Sequence, residues 1–209
     1  EDPLSDRVEQ ELVEYMKNRP KVNILELDRK LCMLFPGLFT PSPELIQICL
    51  ESYGEEHPNN SGQWRLRNED LPENRHNELK NIEDLLHQIG QRLGYQNEGK
   101  NPLLWRDVTG EICYLWFLQL SAIIGALVLN KKYPPNKSII VLPGGRANLV
   151  AYKINHDPRI KRSIEAGWRF VKFRQIRWLA NNAVLNQETF DEQLTLDSLT
   201  YSAPQMRLF

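Results

Sequence analysis

Apolar residues Val8, Leu12, Val13 and Met16 recur at helical spacing through residues 5–18, which predicts a helix capped by Ser5 or Asp6 and ended by Arg19-Pro20. Residues 24–34 (ILELDRKLCML) predict a second amphipathic helix, stopped by Phe35-Pro36-Gly37. Ser42-Pro43 opens a third over 43–54, with Gly54 as its stop. After the polar turn HPNNSG, residues 62–67 (GQWRLR) alternate like a short strand. Residues 68–77 read as a polar connector. A strong helix follows over 75–93, with Leu79, Ile82, Leu85, Leu86, Ile89 and Leu93 on one face and Gly94 closing it.

From residue 102 the pattern changes. Residues 102–106 (PLLWR) and 111–120 (EICYLWFLQL) read as strands around the turn Asp107–Gly110. Residues 121–130 read as a helix with Ser121 as cap. Residues 138–143 (SIIVLP) form a β-branched run without polar alternation, which fits a strand covered on both faces. Gly144-Gly145-Arg146 turns the chain into a helix over 146–155, and a basic segment occupies 158–166. In the strand 168–173 (WRFVKF), alternation sends Arg169, Val171 and Phe173 to one face and Trp168, Phe170 and Lys172 to the other. Short helices are expected at 174–182 and 188–198. This order predicts an α/β fold with a mixed sheet over residues 71–200, preceded by a helical module over 1–70 and followed by a tail, 201–209.

The 209 residues are 41% hydrophobic and 25% charged, which excludes collagen-like, disordered and disulfide-scaffold classes. The longest apolar run, 114–129, is broken by Gln119, Ser121 and Gly125, so no membrane span is expected. The opening EDPLSDRVEQE has no apolar core of a secretory leader, and the chain does not begin with Met, as expected of a fragment of a longer protein. Cys32, Cys49 and Cys113 have no metal or redox spacing and read as reduced, buried thiols of a cytoplasmic protein. The four histidines are dispersed, and no bound metal or cofactor is expected. Charge is segregated. Residues 131–178 carry twelve Lys or Arg against Asp157 and Glu165, a net of +10, while the rest of the chain carries −11. Such a segment either faces an anionic partner or meets acidic residues within the fold.

Three helices followed by a strand resemble a winged helix, a module that often reads DNA through its third helix. Here that helix and its exit carry Glu44, Glu51, Glu55 and Glu56 and no Lys or Arg, so phosphates would be repelled. The module therefore reads as a protein-contact or spacer unit, with Arg65 and Arg67 its only DNA-favouring features. Further on, the ordered strings Leu93-Gly94-Tyr95, Leu103-Leu104-Trp105, Trp116 to Ile124, Ile140-Val141-Leu142-Pro143-Gly144-Gly145-Arg146 and Phe170-Val171-Lys172-Phe173 resemble the restriction-endonuclease-like fold, the PD-(D/E)xK nuclease superfamily, over residues 75–182. The resemblance implies a sheet whose strand carboxylates hold Mg²⁺ at the scissile phosphate. The matching positions here are Asn101 or Pro102, Phe117 and Gln119, none of them a carboxylate. The resemblance thus implies the fold without its ordinary active site. A relocated Mg²⁺ site using Asp107, Glu111 and Lys153 is the nuclease alternative.

Arg146, Lys153, Arg159, Lys161, Arg162, Arg174 and Arg177, with interleaved aromatics, form the expected nucleic-acid surface. Arg146 is also the charged partner for a phosphate on the Gly144-Gly145 turn, should that turn bind one instead of merely using glycine's positive φ. The terminal Gln205-Met206-Arg207-Leu208-Phe209 resembles the bacterial sliding-clamp-binding peptide, with Arg207 departing from the usual Ser or Asp, and implies clamp contact through Gln205, Met206, Leu208 and Phe209. The expected function is a non-catalytic nucleic-acid-binding or assembly domain of a larger bacterial DNA-processing, modification or defence protein. A protein-interaction domain is the remaining alternative.

Overall fold

The computed structural model describes residues 2–197 and 199. The first 70 residues run α1 (Leu4–Lys17), β1 (Val22–Asn23), α2 (Ile24–Leu34), α3 (Pro43–Tyr53), β2 (Gly54–Glu56) and β3 (Gln63–Leu66). Their strands form an antiparallel sheet in the order β1-β3-β2, with Val22 opposite Trp64 and Glu55 opposite Arg65. The Asn23 side chain caps α2 by accepting from the Leu25 N–H at 2.8 Å, and Ser42 caps α3 by accepting from Leu45 at 3.2 Å. Helix α1 corrects the sequence reading. Pro3 precedes it, no side chain caps it, and Asp6 is turned inward. The two- and three-residue strands β1 and β2 are too short for any periodicity to announce them.

The rest of the chain runs α4 (Pro72–Arg92), β4 (Gln96–Glu98), β5 (Leu103–Arg106), β6 (Ile112–Leu118), α5 (Gly125–Val128), β7 (Ser138–Leu142), α6 (Ala147–His156), α7 (Pro158–Glu165), β8 (Arg169–Lys172), α8 (Phe173–Asn181) and α9 (Gln187–Leu194). The five strands lie in sequence order. β4, β5 and β6 are antiparallel, and β6, β7 and β8 are parallel. The fold is mixed α/β, as the alternation of periods required. The expected helix over 121–130 shrinks to α5, and the backbone ahead of it bonds elsewhere: Gln119 N–H to the Val141 carbonyl, Ala122 N–H to Glu9, and the Leu120 and Ala122 carbonyls to Arg146 and Lys153. The polar segment 158–166 is a helix, α7, capped by Asp157. Strand β4, with its exposed polar residues, carried no hydrophobic signal.

Side-chain alternation divides the sheet between two cores. Leu115, Phe117, Ile140, Leu142 and Trp168 pack against α1, α2, α3, α5, α6 and α7. Trp105, Trp116, Ile139, Val141 and Val171 pack against α4, α8 and α9. The first core runs without a break from Val8 and Leu12 to Ile160, so residues on either side of position 70 share it. Helix α3 packs against both α1 and α6. On the opposite face, Gly90 lets α4 approach β4 and β5. A Cβ there would collide with Asn97 and lie 2.8 Å from Trp105. Among the described residues no helix is long and apolar enough to cross a membrane. The cysteines are free, and only Cys49 is buried, whereas Cys32 and Cys113 are partly exposed.

Candidate functional site

The basic residues of 131–178 separate into three groups once their partners are known. The first is buried. Lys153 sits on the inner face of α6, one turn after Leu149 and Val150, with no exposed surface. Its ammonium donates to Asp6 at 2.5 Å, to Glu9, and to the Ala122 carbonyl at 2.8 Å. Glu9 also accepts from the Tyr53 hydroxyl and from the Ala122 N–H, and Asp6 accepts from the Gly125 N–H. Burial works against the charge on Lys153, but Glu9 and Asp6 overcome it and its pKa is raised. At Asp6 burial outweighs Lys153, so that carboxyl is raised too. Tyr53, buried beside Glu9, is pushed well above the ordinary phenol value.

Arg146 is equally enclosed. Its guanidinium stacks 3.5 Å from the centre of the Tyr53 ring and donates to the Leu120 carbonyl, the Ser52 carbonyl and Asp70. Asp70 also accepts from Arg75. These ties correct the expectation for two residues. Neither Lys153 nor Arg146 faces solvent, and the Arg146 guanidinium is directed to Leu120, Ser52 and Asp70. Neither of those glycines has a positive φ. Gly145 is there because a Cβ would press on the Ser52 carbonyl and Arg67 at 3.3 Å. A sequence signal for Lys153 existed: a lysine on the apolar face of a helix requires a buried counter-charge.

The second group runs from buried Lys172 to exposed Arg174 and is paired. Arg174 makes a two-pronged contact with Asp197 at 2.6 and 2.8 Å, and Lys172 reaches the same carboxylate. The Arg174 hydrogen bond and Lys172 lower Asp197 to about 2. Arg177 donates to Glu78 of α4 at 2.5 Å, and Arg169 to Asp191 of α9. Here the basic segment meets acidic residues within the fold, and Arg174 and Arg177 are cross-links that keep exposed surface.

The third group stays on the surface. Arg159, Lys161 and Arg162 project from α7 while Ile160 anchors its inner side. Arg159 pairs with Asp157 at 2.8 Å and remains half exposed. Arg162 donates to the Pro158 carbonyl. Across from α7, the 125–135 segment supplies Lys131 and Tyr133, and the two walls enclose a groove of about 910 Å³. Its lining includes Val128, Leu129, Trp168, Arg159 and Arg162. Lys131 and Lys161 pair with no carboxylate among the described residues, and Lys132 lies 5.5 Å from the Tyr133 ring centre. Nothing local in KKYPPNK places it opposite α7, so its part in the groove is not legible in the sequence.

The relocated nuclease set is not brought together. Asp107 closes the β5–β6 turn, accepting from the N–H groups of Thr109 and Glu111 and from the Thr109 hydroxyl, which hold it below the usual carboxylate range. Glu111 pairs with Lys137 at 2.7 Å, while Lys153 is committed to Asp6 and Glu9. At the positions matched to the nuclease carboxylates, Phe117 is buried between Tyr133 and Trp168. Gln119 opens into a cleft of about 660 Å³ beside Tyr53, Asp70 and Arg146. No cluster of His, Cys, Asp or Glu among the described residues is arranged to hold a metal ion. On the N-terminal module, Arg65 pairs with Glu55, and Arg67 donates to the Glu51 carbonyl. Gln205, Met206, Leu208 and Phe209 lie outside the described residues. Comparison of the sequence with protein-family models and with curated proteins finds no match to either.

Proposed function

We propose that this chain is a non-catalytic nucleic-acid-binding or assembly domain of a larger DNA-processing, modification or defence protein. One observation carries the reading. When every basic side chain in an ion pair is set aside from the +10 segment, the remainder lies on α7 and the facing loop, where Lys131 and Arg162 line one groove. Four like charges (Lys131, Lys132, Lys161 and Arg162) that make no ion pair among the described residues suit an anionic polymer. The element order of residues 1–70 and the sheet order β1-β3-β2 support a winged-helix-like module. The passage from an antiparallel meander to parallel strands supports a restriction-endonuclease-like sandwich. In this reading the module is a spacer, since α3 is packed on α6 and exposes Glu44 and Glu51. The terminal Gln205, Met206, Leu208 and Phe209 are retained as a sliding-clamp peptide on sequence alone.

The test is fluorescence polarisation with labelled DNA at several salt concentrations, with Mg²⁺ present, followed by a denaturing gel. Binding should weaken steeply with salt, and Lys161→Glu and Arg162→Glu should each lower the slope of log K against log salt by about 1. Cut DNA would overturn the non-catalytic reading, and absence of binding at low salt would remove the nucleic-acid reading altogether. A second reading, a protein-interaction domain, is favoured by a separate feature. Met33, Leu34, Leu38 and Phe39 stand exposed together at the end of α2, a concentration of apolar surface unusual outside interfaces.

A further inference from the structure

We infer that the groove between α7 and the 125–135 segment takes single-stranded rather than duplex nucleic acid. This inference rests on the nucleic-acid reading above and deepens it. A duplex keeps its bases stacked inside and is read by convex elements, a helix or ribbon that enters a groove. The elements of this chain that would play that part carry the wrong charge. α3 exposes Glu44 and Glu51, and the β2–β3 hairpin exposes Glu55 and Glu56. The cationic feature is instead concave. A single strand presents its phosphates and its bases separately, and it binds where a cationic rim borders an aromatic or apolar floor.

The groove has both parts. Lys131, Arg162 and the Asp157-paired Arg159 are the cations of its lining, which also includes Asp2, and Val128, Leu129 and Trp168 form the floor. Tyr133 stands at the wall. Its ring is half-buried and braced edge-on by Phe117 at 4.8 Å between centres, so it offers a fixed surface for stacking. Trp168, almost fully enclosed, closes the bottom and does not stack. A groove of about 910 Å³ is large enough for a short run of unstacked nucleotides, yet its apolar floor gives a duplex, which shows only phosphates and groove edges, nothing to contact.

The full chain is titrated against a fluorescein-labelled mixed-sequence single strand and against the duplex of the same length, at the same series of salt concentrations. The single strand should bind at least tenfold more tightly. Tyr133→Ala should weaken the single strand by roughly 5- to 150-fold, with Tyr133→Phe near wild type and duplex affinity little changed. Lys131→Glu, at an exposed position that leaves the fold intact, should weaken both and lower the salt slope. A single strand carrying 5-bromouracil should photo-crosslink within residues 128–135. If duplex binds as tightly as the single strand, or crosslinks fall elsewhere, the single-strand inference fails while the nucleic-acid reading stands. If neither form binds at low salt, both fail.

Discussion

Lys153 illustrates how far a single side chain can depend on distant sequence. Its three donors are met by α1 and by the 119–125 segment, over a hundred residues away in the case of Asp6 and Glu9. Removing the ammonium leaves two buried carboxylates unpaired. Lys153→Ala should therefore cost about 3–5 kcal/mol, read from urea unfolding, whereas replacing the whole triad with apolar residues of similar volume should restore much of it. The two carboxylates are not equivalent. At Asp6 burial outweighs Lys153, so its pKa is raised and its ionised form is disfavoured in the fold, while Glu9 also anchors Tyr53 and Ala122. Glu9→Gln should accordingly destabilise more than Asp6→Asn. Asp197 gives the opposite pH behaviour. Its folded pKa, about 2, lies below its ordinary 3.8, so its contribution is present above that ordinary value and is lost as pH falls through the folded one. The stability difference between wild type and Asp197→Asn should shrink over that interval in acid titrations followed by circular dichroism.

At the scale of elements, the hydrophobic pattern located most helices within a few residues, and it located α2 to the residue. It succeeded where a segment owes its form to one continuous apolar face. It failed at α5, where Ser121 and its neighbours lie in an irregular segment that meets Glu9, Asp6 and Lys153, and at β4, which is polar and exists because β5 offers it an edge. Helix α4 shows packing overriding propensity. Gly90→Ala improves the intrinsic helix preference by about 0.5–1 kcal/mol, but the added methyl meets Asn97 and Trp105. The net result should be a loss of about 1–3 kcal/mol. Gly144→Ala, where a Cβ meets nothing within 4 Å, should change stability by less than about 0.5 kcal/mol. Thermal melts of the two variants make the comparison directly.

For the whole molecule, the shared core and the two buried ionic clusters join residues 1–70 to the sheet. Calorimetry should show one unfolding transition with no separate melting of the helical module. A fragment of residues 71–200 would leave Lys153 and Arg146 without Asp6, Glu9, Asp70 or the Ser52 carbonyl, and its amide NMR spectrum should lack the dispersion of a packed fold. The sequence by itself determined the mixed α/β class, the course of β6 and β7 and the segregation of charge, because each is written in local period and composition. It also excluded carboxylates from Asn101, Phe117 and Gln119, which residue identity alone decides. Only the tertiary structure decided which of the basic residues remain on the surface. A cation's partner is fixed by proximity in space, and Asp6, Glu9, Asp70, Glu78, Asp191 and Asp197 come from both ends of the chain. The same holds for the groove, whose two walls, Lys131–Tyr133 and Arg159–Arg162, face each other only because α5 and α7 pack on the same side of the sheet.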